Sequence, residues 1–195
     1  MRTAEIERNT KETKIRLSLN LDGTGRADIS TGIGFLDHML TSFARHSFID
    51  LKIEVKGDLH VDGHHTAEDT GIVLGQAIRE ALGDKAGIVR YGSAALPMDE
   101  TLVLCAVDLC GRPYLAYDLK FTMPRIGELD SELIREFFYA VSYSAMMNLH
   151  LRQLDGSNNH HLAEAAFKAF AKALAEAVRV DERIDGTLST KGNLA

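Results

Sequence analysis

A chain of 195 residues, 45% hydrophobic and 26% charged, has the size and composition of one medium globular domain or of two small halves sharing a core. A formal charge of −6 disfavours a nucleic-acid partner, which would require a basic face. No apolar run reaches transmembrane length, MRTAEIERNTKETKIRL lacks a signal-peptide core, and Cys105 and Cys110 make neither a disulfide framework nor a C-x-x-C pair; no membrane association and a reducing, cytoplasmic setting are expected.

Along the chain, KIRLSLNLDGTG alternates strictly, with Ile15, Leu17, Leu19 and Leu21 on one face and Lys14, Arg16, Ser18 and Asn20 on the other. This predicts a half-buried strand ending in the turn Asp22-Gly23-Thr24-Gly25, with RADIS as the returning strand. GFLDHMLTSFARHS places Phe35, Leu36, Met39, Leu40 and Phe43 at helical spacing; IDLKIEVKG alternates again, and His64 to Leu82 is helical once more. TLVLCAVDL reads as a strand, Cys110-Gly111-Arg112-Pro113 as a turn and YLAYDLKF as a strand. DSELIREFFYAVSYSAMM reads as a helix with Asp130 or Ser131 as N-cap, and MNLHLRQL as a strand. His160 to Val178 is a long helix with Leu162, Ala166, Phe167, Phe170, Leu174 and Val178 on its apolar face.

The order strand-strand-helix-strand-helix thus occurs twice. Placing His64 on His160 superposes LKIEV on MNLHL with their alternations in phase. The expected fold is α+β, an internally duplicated sandwich forming one domain over 1–195. Its pseudo-repeats are expected at about 1–95 and 96–180, and no low-complexity linker separates them. The tail 181–195 is polar and on composition alone reads as flexible.

His-His-x-x-Glu occurs in DGHHTAED and again in NNHHLAEA. Positions i and i+4 share a helix face, so His64 converges with Glu68 and His160 with Glu164. His65 and His161 lie about 100° further round, so each adjacent pair more naturally serves two different cations. A single His-His pair at a helix start is commonly a polar cap, but recurrence of the whole pattern in equivalent places favours two metal sites, each drawing on both halves. His38 in FLDHML and Glu136 in LIREFF sit in equivalent preceding helices and are further candidate ligands. Taken alone, His38 also reads as a core histidine and Glu136 as an exposed helix charge. His150 competes with Glu136 for the second site, His46 is placed near the site, and His60 is read as surface or structural. H-E-x-x-H, E-x-x-H, a P-loop and G-x-S-x-G are all absent.

STGIGFLDHML, DGHHTAEDTGIVLG, MDETL, DLCGRP and NNHHLAEAAFKAFAKAL together resemble the imidazoleglycerol-phosphate dehydratases of histidine biosynthesis. The resemblance runs from about Arg2 through STKGNL and is to the monofunctional form, without a fused phosphatase. It implies a duplicated α/β sandwich, each half a four-stranded sheet with helices. It also implies two manganese ions per active site and a hollow shell of twenty-four subunits with active sites between them. The family's ligands fall on His38, His64, His65, Glu68, His160, His161 and Glu164, and a further ligand position falls on Glu136, where many members have histidine. Gly63 replaces an aspartate found in many members, which affects a contact that would orient a ligating histidine. The phosphate-holding groups fall on Arg90, Arg112, Ser189 and Lys191, with Lys168 nearby, and the tail becomes a lid over the substrate.

The implied reaction removes a hydroxyl from C3 and a hydrogen from C2 of the glycerol chain. The C2 hydrogen is not beside a carbonyl, so the imidazole ring must act as the electron sink, with the cations as Lewis acids and template. A carboxylate is the expected base: Glu12 matches a substrate-contacting glutamate of the family, with Glu68 and Glu164 as alternatives. His38 and His46 join Glu12 among the expected substrate contacts. Imidazole-rich sites ordinarily prefer zinc, copper, iron or nickel to manganese, so geometry and availability must select manganese. Two other classes remain open: a metal-dependent hydrolase, and a non-catalytic metal-binding shell protein.

Overall fold

The computed structural model describes residues 1–194; Ala195, the last residue of the expected tail segment, lies outside the described residues. The alternation of KIRLSLNL becomes β2 (Thr13–Asn20), with Ile15, Leu17 and Leu19 buried. It lies between β1 (Thr3–Asn9) and β4 (Asp50–Gly57), antiparallel to both. RADIS forms β3 (Ala27–Ser30) but does not return beside β2. It pairs in parallel with β4 at the far edge of the sheet, giving the order β1-β2-β4-β3. A parallel neighbour requires a crossover, and α1 (Gly34–Ser47) supplies it. α2 (His64–Leu82) completes the half.

The second half repeats this plan with β5 (Tyr91–Met98), β6 (Thr101–Asp108), β7 (Tyr114–Asp118), α3 (Glu132–Ser144), β10 (Asn148–Asp155) and α4 (Asn159–Ala177), in the sheet order β5-β6-β10-β7. It also carries an extra hairpin, β8 (Arg125–Ile126) and β9 (Leu129–Asp130), ahead of α3. β5 spans the expected repeat boundary at about 95/96. Reading the residues directly missed β1 and β5. Both are edge strands with weak signals: TAEIERN has two apolar residues, and YGSAALPM contains glycine and proline, which an edge tolerates.

The helices lie between the two sheets. α1 packs on α4 and α2 on α3, so each helix contacts a helix of the other half. Along α1–α4, Phe43 stacks on Phe170 at 5.3 Å, and the cluster continues through Phe138 and Phe167. Along α2–α3 the helices approach so closely that a Cβ on Gly71 would lie 2.6 Å from the Phe137 carbonyl oxygen, and one on Gly75 2.6 Å from that of Val141. The outward faces of the sheets differ. The first exposes Glu5, Glu7, Lys14, Arg16, Lys52 and Lys56, whereas the second exposes Tyr91, Tyr114 and Leu154 beside half-buried Leu102 and Leu104.

The tail is less free than its composition implied. Val180 bridges to Ile88, the Asp181 amide donates to the Gly87 carbonyl at 2.9 Å, and the Gly87 amide donates to the Gly186 carbonyl at 2.7 Å. Among the described residues, no helix is long and apolar enough to cross a membrane.

We predict that Gly75→Ala lowers stability by about 1–3 kcal/mol, the cost of overpacking a closed seam. Urea denaturation should show a lower midpoint, and an unchanged midpoint would mean that the α2–α3 contact is not close-packed in solution.

Candidate active site

The second His-His-x-x-Glu motif opens α4. The side chain of Asn158, the N-cap, accepts from the amides of His160 at 2.9 Å and His161 at 3.2 Å, which fixes the first turn. One turn on, Glu164 places Oε2 3.1 Å from His160 Nε2 and 3.5 Å from His38 Nε2, the latter reaching in from α1. His38, His160 and Glu164 are the only described residues that bring three ligand atoms mutually within 4.8 Å. Their side chains grade from open to closed, with His38 at 52%, His160 at 47% and Glu164 at 11% exposure. Lys168, one turn further along, meets the other Glu164 oxygen at 2.5 Å. Burial opposes ionisation of Glu164, but Lys168 and His160 outweigh it and hold the carboxyl below its usual range. Two imidazoles and an ionised carboxylate in this arrangement suit a divalent cation.

The first motif opens α2. His64 Nε2 and Glu68 Oε2 are 3.5 Å apart, and the His64 amide donates to Asp62 at 2.8 Å. The rings of each adjacent pair diverge, with interplanar angles of 88° for His64–His65 and 86° for His160–His161. The outer histidine of each pair is held in the same way. His65 Nδ1 lies 3.0 Å from Asp58, and His161 Nδ1 lies 2.7 Å from Glu100. A carboxylate at Nδ1 assigns the proton there and leaves the Nε2 lone pair for a cation. Hydrogen bonding to these carboxylates raises the pKa of both imidazoles. Sequence reasoning missed Asp58, which lies outside the quoted motifs, and gave no role to Glu100 of MDETL; only the fold brings the two carboxylates to the histidines. They supply an orienting contact of the kind that Gly63 had left in question. A Cβ at Gly63 would itself lie 3.1 Å from Ile33 Cδ1.

Glu12 sits in the β1–β2 turn, which Thr10 holds by accepting the amides of Glu12 and Thr13 at 3.1 and 2.9 Å. Thr13 in turn donates to buried Asp69 of α2, which Arg8 also binds at 3.0 Å. The Glu12 carboxylate lies 3.8 Å from His65 Nε2. His46 ends α1 within the field of Lys168, and burial and that lysine depress its pKa. Glu136 pairs with Arg135 at 2.9 Å and is not among the described residues whose ligand atoms converge with His38, His160 and Glu164. His150 stands on the outward face of its sheet against Tyr114, and His60 is exposed.

A separate cavity of about 630 Å³ collects Arg90, Arg112, Ser189 and Lys191. Arg112 sits in a tight turn whose carbonyl accepts from the Asn148 side chain at 2.7 Å. Arg183 adds a further cation to the lining. The held fork of Arg90 with the further positive charge of Arg112, Arg183 and Lys191 suits a phosphate. Lys168 does not line this cavity, and neither do the metal-ligand candidates.

A sequence profile described as imidazoleglycerol-phosphate dehydratase matches residues 31–174. The chain belongs to the imidazoleglycerol-phosphate dehydratase family. It is 68% identical to the imidazoleglycerol-phosphate dehydratase of Lachnoclostridium phytofermentans, over 99% of this chain and 98% of that one. Identity to the Streptococcus mutans enzyme is 58%, over the whole of both chains. The fold matches the crystal structure of the Staphylococcus aureus imidazoleglycerol-phosphate dehydratase with a TM-score of 0.84 at 41% identity, covering 92% of this chain and 99% of that one. It also matches the Pyrococcus furiosus dehydratase in complex with (S)-C348, with a TM-score of 0.84 at 38% identity, covering 97% and 100%.

Because Asp58 favours the protonated ring, protons would compete with a cation held at His65. We predict that Asp58→Asn shifts the midpoint of cation loading to lower pH while weakening affinity roughly 10–100-fold at high pH. Calorimetric titration across pH checks both; no change in either quantity would deny Asp58 an orienting role.

Proposed function

We propose that this chain dehydrates imidazole glycerol phosphate to imidazole acetol phosphate in histidine biosynthesis, using two Mn²⁺ at each active site. The convergence of His38, His160 and Glu164, from helices of opposite halves, is the observation that carries the reading. His64, His65, Glu68 and His161 complete the ligand candidates. Two of these five histidines have their Nε2 atoms freed by Nδ1–carboxylate contacts. Glu136 belongs to the set only if its pair with Arg135 opens. When bound, the cations supply Lewis-acid stabilisation to the substrate's imidazole ring.

The chain's own groups bind and orient the rest of the substrate. Arg90, Arg112, Ser189 and Lys191 take the phosphate, and the tail excludes water above it. Glu12 lies next to His65 on an exposed turn and removes the C2 proton. The C3 hydroxyl leaves and takes up the proton that Glu12 removes from C2, so that one water is lost in balance, and the resulting enol tautomerises to the ketone. Lys168 holds Glu164 ionised as a ligand, which favours Glu12 over Glu164 as base.

Within one chain the phosphate cavity and the histidine clusters share no residue, which supports active sites completed between subunits. The exposed apolar side chains on the outward face of the second sheet, with Tyr91, Tyr114 and Leu154 about half exposed, support burial against other copies in a shell of twenty-four. Two free, buried cysteines accord with a cytoplasmic location. A metal-dependent hydrolase or a storage shell leaves the converged phosphate groups without a role.

The test is conversion of imidazole glycerol phosphate by metal-stripped protein with and without added Mn²⁺. Activity restored by Mn²⁺ is expected. Tight metal binding and intact assembly without turnover would reduce the motifs to storage or structure. Glu12→Gln should lose at least about 100-fold in turnover with metal content unchanged; near-normal turnover would exclude Glu12 as the base.

A further inference from the structure

Arg90 is not a free phosphate ligand waiting in a pocket. It precedes β5 with a left-handed backbone, φ 71°, held by its amide donating to the Ala177 carbonyl at 2.9 Å. Its side chain is 12% exposed, and the guanidinium is already engaged on two sides. Nε donates to Asp108 Oδ1 at 2.7 Å and Nη2 to Asp108 Oδ2 at 3.2 Å, a two-pronged fork from the end of β6. Nη1 donates to the Leu188 carbonyl of the tail at 2.8 Å. Among the described residues, that bond is the only hydrogen bond joining segment 187–194 to the rest of the chain. A guanidinium has five N–H groups, so two are left for a ligand.

The duplication contains a second such device. Arg2 precedes β1 as Arg90 precedes β5. Its Nε and Nη2 donate to Asp22, just beyond β2, at 3.2 and 2.7 Å. Its Nη1 donates to the carbonyl of Val178, the C-cap of α4. Both clamps therefore hold the same C-terminal run of chain, the first at its root and the second next to Ser189 and Lys191. Only the second clamp faces the cationic cavity.

We propose that Asp108 is a positioning residue of the phosphate subsite: by occupying one edge of Arg90 it aims the remaining N–H groups at the Leu188 carbonyl and the cavity, so that phosphate capture and docking of the tail are one event. A planar fork shared in this way ties the two together, because displacing Arg90 from either partner moves it from the other. The inference rests on reading the cavity as the phosphate site.

The test uses the full-length assembled protein, inorganic phosphate as probe, and trypsin cleavage of the tail, where Lys191 is exposed, as readout. In the wild-type protein, phosphate slows cleavage after Lys191. Asp108→Asn removes most of that protection and raises KM for the phosphorylated substrate roughly ten- to hundredfold, more than it lowers kcat. Arg90→Lys keeps the charge without the fork; it loses the phosphate protection too, and serves if Asp108→Asn fails to assemble. Phosphate protection retained in both variants, with KM unchanged in Asp108→Asn, overturns the inference and leaves the phosphate reading intact. Loss of kcat and of melting temperature in Asp108→Asn, with phosphate protection preserved, makes Asp108 merely structural and also overturns it. If phosphate neither binds the wild-type protein by calorimetry nor protects its tail, the phosphate reading fails and the inference fails with it.

Discussion

The site depends on helices pairing across the duplication, not within each half. α1 lies on α4 and α2 on α3 because each sheet must cover its apolar face, and the two helix layers then bury their remaining faces against each other. Phe43 against Phe170 secures one seam, and the bare backbones of Gly71 and Gly75 secure the other. The consequence is chemical. His38 belongs to the first half yet faces His160 and Glu164 of the second, at a point where no single repeat has enough ligands.

The duplication also supplies paired devices that have since diverged. Each motif fixes its outer histidine through a carboxylate at Nδ1, but one draws it from the end of β4 and the other from the β5–β6 hairpin. Each half clamps an arginine ahead of its first strand, yet one clamp anchors the end of a helix and the other meets the cavity. The sheets themselves differ outward, charged in the first half and more apolar in the second, where exposed Tyr91, Tyr114 and Leu154 accompany Arg152 and Asp118. Equivalent backbones therefore serve unequal purposes, one exposed to water and the other suited to burial.

Much of this was legible in the sequence wherever periodicity is strong. β2, β4, β6 and all four helices follow from alternation and helical spacing, and the repeated His-His-x-x-Glu motif marked the ligand-bearing helix starts. β1 and β5 escaped direct reading because edge strands bury little and tolerate poor strand formers. RADIS was legible as a strand but not as a parallel edge, since a local hairpin and a crossover have the same short-range signal. Asp58 lay in no motif, and Glu100 of MDETL and Asp108 of DLCGRP carried no legible role, because a carboxylate that orients another side chain is defined by tertiary contact and not by spacing. The tail looked flexible because its order comes from main-chain bonds to Gly87 and from the Arg90 side chain on the Leu188 carbonyl, which composition cannot register.

The central claim is that His38 and the second motif hold one cation across the duplication, and counting bound Mn²⁺ per chain in metal-stripped protein and in His38→Ala tests it most directly. The account predicts two ions per chain in the wild-type protein, with one of them lost or bound far more weakly in His38→Ala while the fold is retained. Two ions bound with unchanged affinity in His38→Ala would contradict it, and would leave His38 as a histidine at a helix seam with no part in the metal centre.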